Sequence, residues 1–262
     1  MHKSPAKKVK EMIYLFDRVF LGKRISKLIN NYLMQRTLRR DYGRAEGTFA
    51  IKLFYKSSAL TDLADQYQTD KGGVTTVTKG PNSTHSYTYY YEHLFSHCRE
   101  TVTRIFECGI GTNFEDVPSN MSSMGTPGAS LRMWESYFPN AEIIGADIDR
   151  RVLFTTNRIK TFELDQTNPE SIRKFLVQVG EEKFDLMIDD GLHNLQAAKS
   201  LFENSFSQLK NSGVYVIEDV SPWSLGSYID WLESLNMNFS VVPLFGMRNR
   251  PSDDLLIVIR KS

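Results

Sequence analysis

Two hydrophobic periods divide the chain. From about residue 100 onward, short apolar runs bounded by Gly, Pro, Asn and Asp alternate with stretches in which apolar residues recur every three or four positions. The runs at 103–108, 141–147, 160–164, 184–189 and 214–217, with a closing pair at 239–245 and 255–259, read as strands. Residues 131–138, 171–179, 195–209 and 224–235 read as helices, the first announced by Pro127-Gly128-Ala129-Ser130. Strand and helix in strict alternation predict a Rossmann-like, doubly wound α/β domain. Its sheet is expected to have seven strands, mostly parallel, with helices on both faces and ligands at the carboxyl ends of the strands.

Upstream the pattern loosens. Residues 59–67 read as a helix, 69–86 as a loop and 87–97 as a helix dense in tyrosine, together a cap over the sheet. Tyr87, Tyr89, Tyr90 and Tyr91 suit either core packing or a substrate-facing role. Residues 1–40 carry eleven Lys and Arg against Glu11 and Asp17, a surplus of nine, so the remainder of a chain with net charge +1 runs to −8. Apolar side chains recur at helical spacing through this stretch, which predicts a basic amphipathic arm. The organisation expected is therefore an arm over 1–40, a cap over 41–100 and a ligand-binding domain over 101–262.

Asp17-Arg18 and Lys23-Arg24 interrupt the arm well short of the ~20 apolar residues of a membrane span, and no cleavage site follows. Two readings of the arm stay open: packing on its own domain or a homo-oligomer partner, or contact with an anionic membrane surface. No basic-aromatic nucleic-acid module is visible. Cys98 and Cys108 form neither a metal pair nor a disulfide framework, as suits a reducing, cytoplasmic setting.

The first chemical signal closes the strand at 103–108. Gly109-Ile110-Gly111 lets backbone approach a ligand where a side chain would collide, although a plain structural turn reads the same way. The next strand ends in Asp147, placed to hold the two hydroxyls of a ribose. A dinucleotide site wants a third glycine before a helix that meets pyrophosphate, whereas here Gly111 is followed by Thr112-Asn113-Phe114-Glu115-Asp116. A nucleoside without phosphates, such as S-adenosylmethionine, suits that loop better. Asp165 and Gln166, at the third strand end, offer a carboxylate and an amide able to read an adenine edge, or to cap the helix near Pro169.

The second signal is Ile188-Asp189-Asp190-Gly191-Leu192-His193, with Glu218-Asp219 closing the following strand. Carboxylates at the tips of neighbouring strands make an oxygen-rich place for Mg2+ or a similar hard cation, or serve as solvated helix caps.

Residues 65–260 resemble the class I S-adenosylmethionine-dependent methyltransferases that act on sugar hydroxyls of macrolides and surface polysaccharides. The matching pieces are Glu107 to Asn113, Pro127 to Arg132, Tyr137 to Ala141, Gly145 to Asp149, Ile188 to His193 and Ile217-Glu218-Asp219. Thr69-Asp70-Lys71-Gly72, His85-Ser86-Tyr87 and Tyr90-Tyr91-Glu92 resemble that family's cap. The resemblance implies a methyl donor held by Glu107, Gly109, Gly111, Asp147, Asp165 and Gln166, with Ser130 nearby. It implies Mg2+ on Asp190, Glu218 and Asp219, with His193 as base and Asp190 also catalytic. Three features depart from the family: a glutamate, Glu218, where a second aspartate is more usual; a longer stretch over 73–84; and the basic arm.

The expected reaction is in-line methyl transfer to a hydroxyl of a small-molecule or saccharide acceptor. Its rivals are a nicotinamide-dependent oxidoreductase on the same kind of sheet and a catalytically silent cofactor-binding subunit.

Overall fold

The computed structural model describes residues 51–52, 57–72, 85–121, 125–245 and 255–261. The chain divides into two units, Met1–Arg44 and Ala45–Ser262, and every described residue belongs to the second. The expected arm over 1–40 and the whole 73–84 stretch lie outside the described residues.

Strands β2 (Arg104–Cys108), β3 (Glu142–Asp147), β4 (Ile159–Glu163), β5 (Phe184–Asp189) and β6 (Leu209–Ile217) pair in parallel in the order β4-β3-β2-β5-β6. This is the five-strand run of a doubly wound sheet, with its direction of winding reversing between β2 and β5. Beyond β6 the order departs from a dinucleotide-binding sheet. Strand β8 (Leu255–Arg260) lies antiparallel between β6 and β7 (Phe239–Phe245). The seven strands read from the sequence all form, and the two-residue β1 (Ile51–Lys52) adds an eighth, parallel to β7.

Every residue of β2 is buried, as a central strand covered on both faces requires. Five of the helices are α1 (Ala59–Tyr67), α2 (Tyr87–Phe95), α3 (Ala129–Tyr137), α4 (Pro169–Val179) and α5 (Leu195–Ser205). A sixth, α6 (Leu225–Ser234), lies between β6 and β7. α3 begins at Gly128, whose φ of 72° suits glycine and whose missing Cβ leaves room for the Phe154 ring. Pro169 stands in the first turn of α4, where a missing N–H costs nothing, and Asn168 caps that helix with its side chain.

α2 and α3 share one core. Trp134, Tyr137 and Phe138 are fully buried, with Tyr91 edge-on to Trp134 at 5.0 Å and Phe95 edge-on to Phe138 at 5.5 Å. Burying each such ring stabilises the fold by roughly 1.5–3 kcal/mol. Ser58 and Thr61 form a capping box at α1, and Glu92 from α2 accepts from the Leu60 amide at 2.9 Å. The start of α1 is thereby fastened to α2.

Two boundaries differ from the sequence reading. α5 ends at Ser205, because residues 206–208 tighten into a 3-10 turn before β6. β6 begins at Leu209, ahead of the run at 214–217, and Asn211-Ser212-Gly213 lies inside it as an irregularity: Ser212 takes φ 63° and its amide donates to the Lys261 carbonyl at 2.8 Å. No helix among the described residues is long and apolar enough to cross a membrane.

Candidate functional site

The hydrogen-bond ladder runs one step past the tips of β2, β5 and β6. The Asp190 amide donates to the Cys108 carbonyl at 2.9 Å and the Glu218 amide to Asp189 at 3.0 Å. Glu107, Asp190 and Glu218, from three adjoining strands, therefore stand close together where the winding reverses. Gly109, at φ 89°, passes so near the Asp190 carbonyl that a Cβ would sit 2.1 Å from its oxygen. A side chain at this position would push β2 and β5 apart.

Two clefts of about 210 Å3 each open at this edge and share Gly109, Gly111, Ser119 and Asp190. One is walled by Val117, Pro118, Ile148, Leu164 and Leu192, with Asp147 and Asp165 at its polar end. Among the described residues, no Lys, Arg or His lines it. An apolar slot whose described lining carries carboxylates and no cation suits a nucleoside base and its diol better than a pyrophosphate.

The expected donor residues take distinct positions. Asp147 accepts from the amides of Ile110 and Asp149, both at 3.0 Å, so it fastens the glycine loop as well as facing the slot. Burial raises its carboxyl above the usual range, with those backbone donors opposing. Asp165 lines the slot and accepts from the Thr167 amide and hydroxyl. Gln166 lines it too, but its amide is engaged inward: Nε2 donates to Asp189 at 3.0 Å and Oε1 accepts from the Leu192 amide at 2.8 Å. Ser130 lines the other cleft. Glu107 lines neither; fully buried, it accepts from Trp134 Nε1 at 2.5 Å.

The second cleft is polar. Asp190, His193 and Asp219 each bring a potential ligand atom within 4.8 Å of the others. Glu218, expected beside them as a ligand, has both oxygens engaged elsewhere. One accepts from Tyr91 Oη at 2.6 Å and the other from Lys71 Nζ. Asp219 accepts from Tyr87 Oη at 2.5 Å and lies 3.7 Å from His85 Nδ1 and 3.9 Å from His193 Nδ1. The rings of Tyr87 and Tyr91 are buried in the core, and their hydroxyls reach the strand-tip acids Asp219 and Glu218.

Lys71, from the turn after α1, was visible in sequence only through the motif that contains it. Its ammonium, 2% exposed, donates to Asp190 at 2.6 Å and faces Glu107 at 3.4 Å. Burial alone would lower its pKa, but Asp190, Glu107 and Glu218 together hold it well above the ordinary range. Burial raises Glu218, with Lys71 opposing, and pushes Asp189 up to about 6. Four of the six described non-glycine residues with positive φ, Gln68, Ser119, His193 and Asp219, line this one cleft. Backbone strain held by surrounding structure concentrates at functional sites.

No family model matches the sequence. Among curated proteins, the chain is 32% identical over 180 residues to 8-demethyl-8-(2-methoxy-alpha-L-rhamnosyl)-tetracenomycin-C 3'-O-methyltransferase of Streptomyces olivaceus, covering 69% of this chain and 41% of that protein. It is 35% identical over 161 residues to L-olivosyl-oleandolide 3-O-methyltransferase of Streptomyces antibioticus, covering 61% of this chain and 36% of that protein. The chain thus spans about two-fifths of the length of these relatives. Among solved structures, MycE methyltransferase from the mycinamycin biosynthetic pathway, in complex with Mg and SAH, superposes with a TM-score of 0.54 at 25% identity. That match covers 79% of this chain and 55% of the other.

Proposed function

Because the chain belongs to the class I S-adenosylmethionine-dependent methyltransferases, we propose that it transfers a methyl group to a hydroxyl of a sugar, carried by a glycosylated small molecule or a saccharide. The observation that carries this reading is the pair of adjoining clefts, one apolar and lined by no described Lys, Arg or His, the other acidic, sharing Gly109, Gly111, Ser119 and Asp190. Clefts that share a wall would suit transfer from a nucleoside-bound donor to a hydroxylated acceptor held beside it.

S-adenosylmethionine would supply an electrophilic methyl group, and a bound Mg2+ would supply a Lewis acid that orients and acidifies the acceptor hydroxyl. Asp147 and Asp165 suit the ribose and base, while Gly109 and Gly111 admit the donor closely. Asp190 and Asp219 are the carboxylates of the acidic cleft best placed for the cation, since Glu218 is engaged by Lys71 and Tyr91. His193, in the same cluster, would accept the hydroxyl proton while the glycine loop and Asp190 hold donor and acceptor side by side, and a bound S-adenosylmethionine would give up its methyl group to the oxygen and leave as S-adenosylhomocysteine.

A cytoplasmic setting belongs to the same reading. Homo-oligomerisation or an anionic membrane contact through residues 1–40 remains an expectation from sequence alone. The deciding experiment offers labelled S-adenosylmethionine with a panel of glycosylated macrolides, anthracyclines and oligosaccharides. Methyl transfer to a sugar hydroxyl, abolished by a chelator and restored by Mg2+, is the expected result. Transfer indifferent to chelator would reject the cation, and donor binding without turnover on any acceptor would favour a silent subunit.

A further inference from the structure

The acid cleft contains a cation of its own. Lys71 Nζ stands among Glu107 of β2, Asp190 beyond β5 and Glu218 beyond β6, donating to two of these carboxylates and lying 3.4 Å from the third. Its backbone is held as firmly, with the Lys71 carbonyl accepting from the Thr88 amide at 3.1 Å and the Asp70 carbonyl from His85 at 2.7 Å. A buried lysine so enclosed has few alternative positions. Asp190 belongs at once to this cage and to the Asp190-His193-Asp219 cluster.

We propose that Lys71 is a positioning residue and built-in counter-cation: its ammonium orients Asp190, reserves Glu218 for itself, and confines a divalent cation to the Asp190-His193-Asp219 side of the cleft. The inference rests on the cation site proposed above. One fixed positive charge sharing Asp190 repels a second cation, so affinity for the divalent ion is held down while Asp190 stays aimed. Without the ammonium, Glu218 is released to bind the ion, which then moves away from His193.

The test compares wild type with Lys71→Met and Lys71→Gln, titrating Mn2+ calorimetrically with neither donor nor acceptor present and following the Mn2+-induced rise in melting temperature. Both neutral variants should bind Mn2+ about tenfold tighter or more, the direction Coulomb's law requires. Turnover at saturating cation should fall. A variant unfolded alone but restored by Mn2+ supports the proposal equally. Unchanged or weaker Mn2+ affinity in both variants, or misfolding that Mn2+ does not repair, overturns it and leaves a lysine that only anchors the fold. Wild type that binds no Mn2+ overturns the cation site and this inference with it, whereas wild-type binding without tightening in the variants rejects Lys71 alone.

Discussion

Gln166 Oε1 accepts the Leu192 amide at 2.8 Å while its Nε2 donates to Asp189, so one buried side chain spans from the tip of β4 to the turn that carries Asp190 and His193. Gly191 lies so close that a Cβ there would overlap the same amide. Gln166→Ala should therefore leave a buried amide and carboxylate short of partners, at roughly 1–3 kcal/mol. Melting should fall by several degrees, and S-adenosylhomocysteine affinity and turnover should fall together. Gln166→Ala with wild-type melting and kinetics would show that the bridge carries no strain and no alignment.

Separable roles are expected at the acid cleft. His193→Ala should reduce methyl transfer by ~10²- to 10⁴-fold while leaving donor affinity intact. Asp190→Asn should weaken cation binding and turnover together, with partial recovery in excess Mg2+. Turnover of His193→Ala within a few fold of wild type would remove it from the base role.

Ligand linkage separates the donor classes. S-adenosylhomocysteine at 100 times its dissociation constant should stabilise the fold by about 2.7 kcal/mol, and NAD at equal concentration should not. Thermal shift measures both. Stabilisation by NAD alone would turn the assignment toward hydride transfer.

Acid stability should depend on Asp149. Hydrogen bonds from the Arg151 side chain, the Thr112 hydroxyl and the Arg151 amide, opposed by burial, hold its carboxyl down to about 2. A carboxyl depressed in the folded state contributes stability above its unfolded pKa, and that stability drains away as pH falls from about 4 toward 2. The contribution is about 1–2 kcal/mol, discounted because Arg151 is half exposed. Denaturant midpoints for Asp149→Asn should sit lower at pH 6 and converge with wild type near pH 2; parallel curves would refute the linkage.

The strand tips were legible because apolar runs that end in carboxylates announce where a buried strand leaves the core. Asp147, Asp190 and Asp219 stand where those endings put them. Lys71 was not legible in the same way, since its partners lie 119 and 147 residues away and no local period encodes such a contact. Glu107 and Gln166 show a subtler limit: a polar side chain beside a glycine loop can face a ligand or fasten the loop from behind. Local spacing does not separate these outcomes, because Trp134, Leu192 and Asp189 arrive from other elements.

The antiparallel strand β8 bears on how the chain can be made. Among the described strands, β3 to β6 can each pair with a strand already synthesised, but β7 borders β8 and the two-residue β1, and β8 alone connects them to the rest. During translation, residues 239–245 therefore emerge with no sheet to join and must wait for 255–260 to leave the ribosome. Until then β6 offers a bare apolar edge, Val214, Val216 and Ile217 included, which is the form of the protein most exposed to aggregation and most in need of a chaperone.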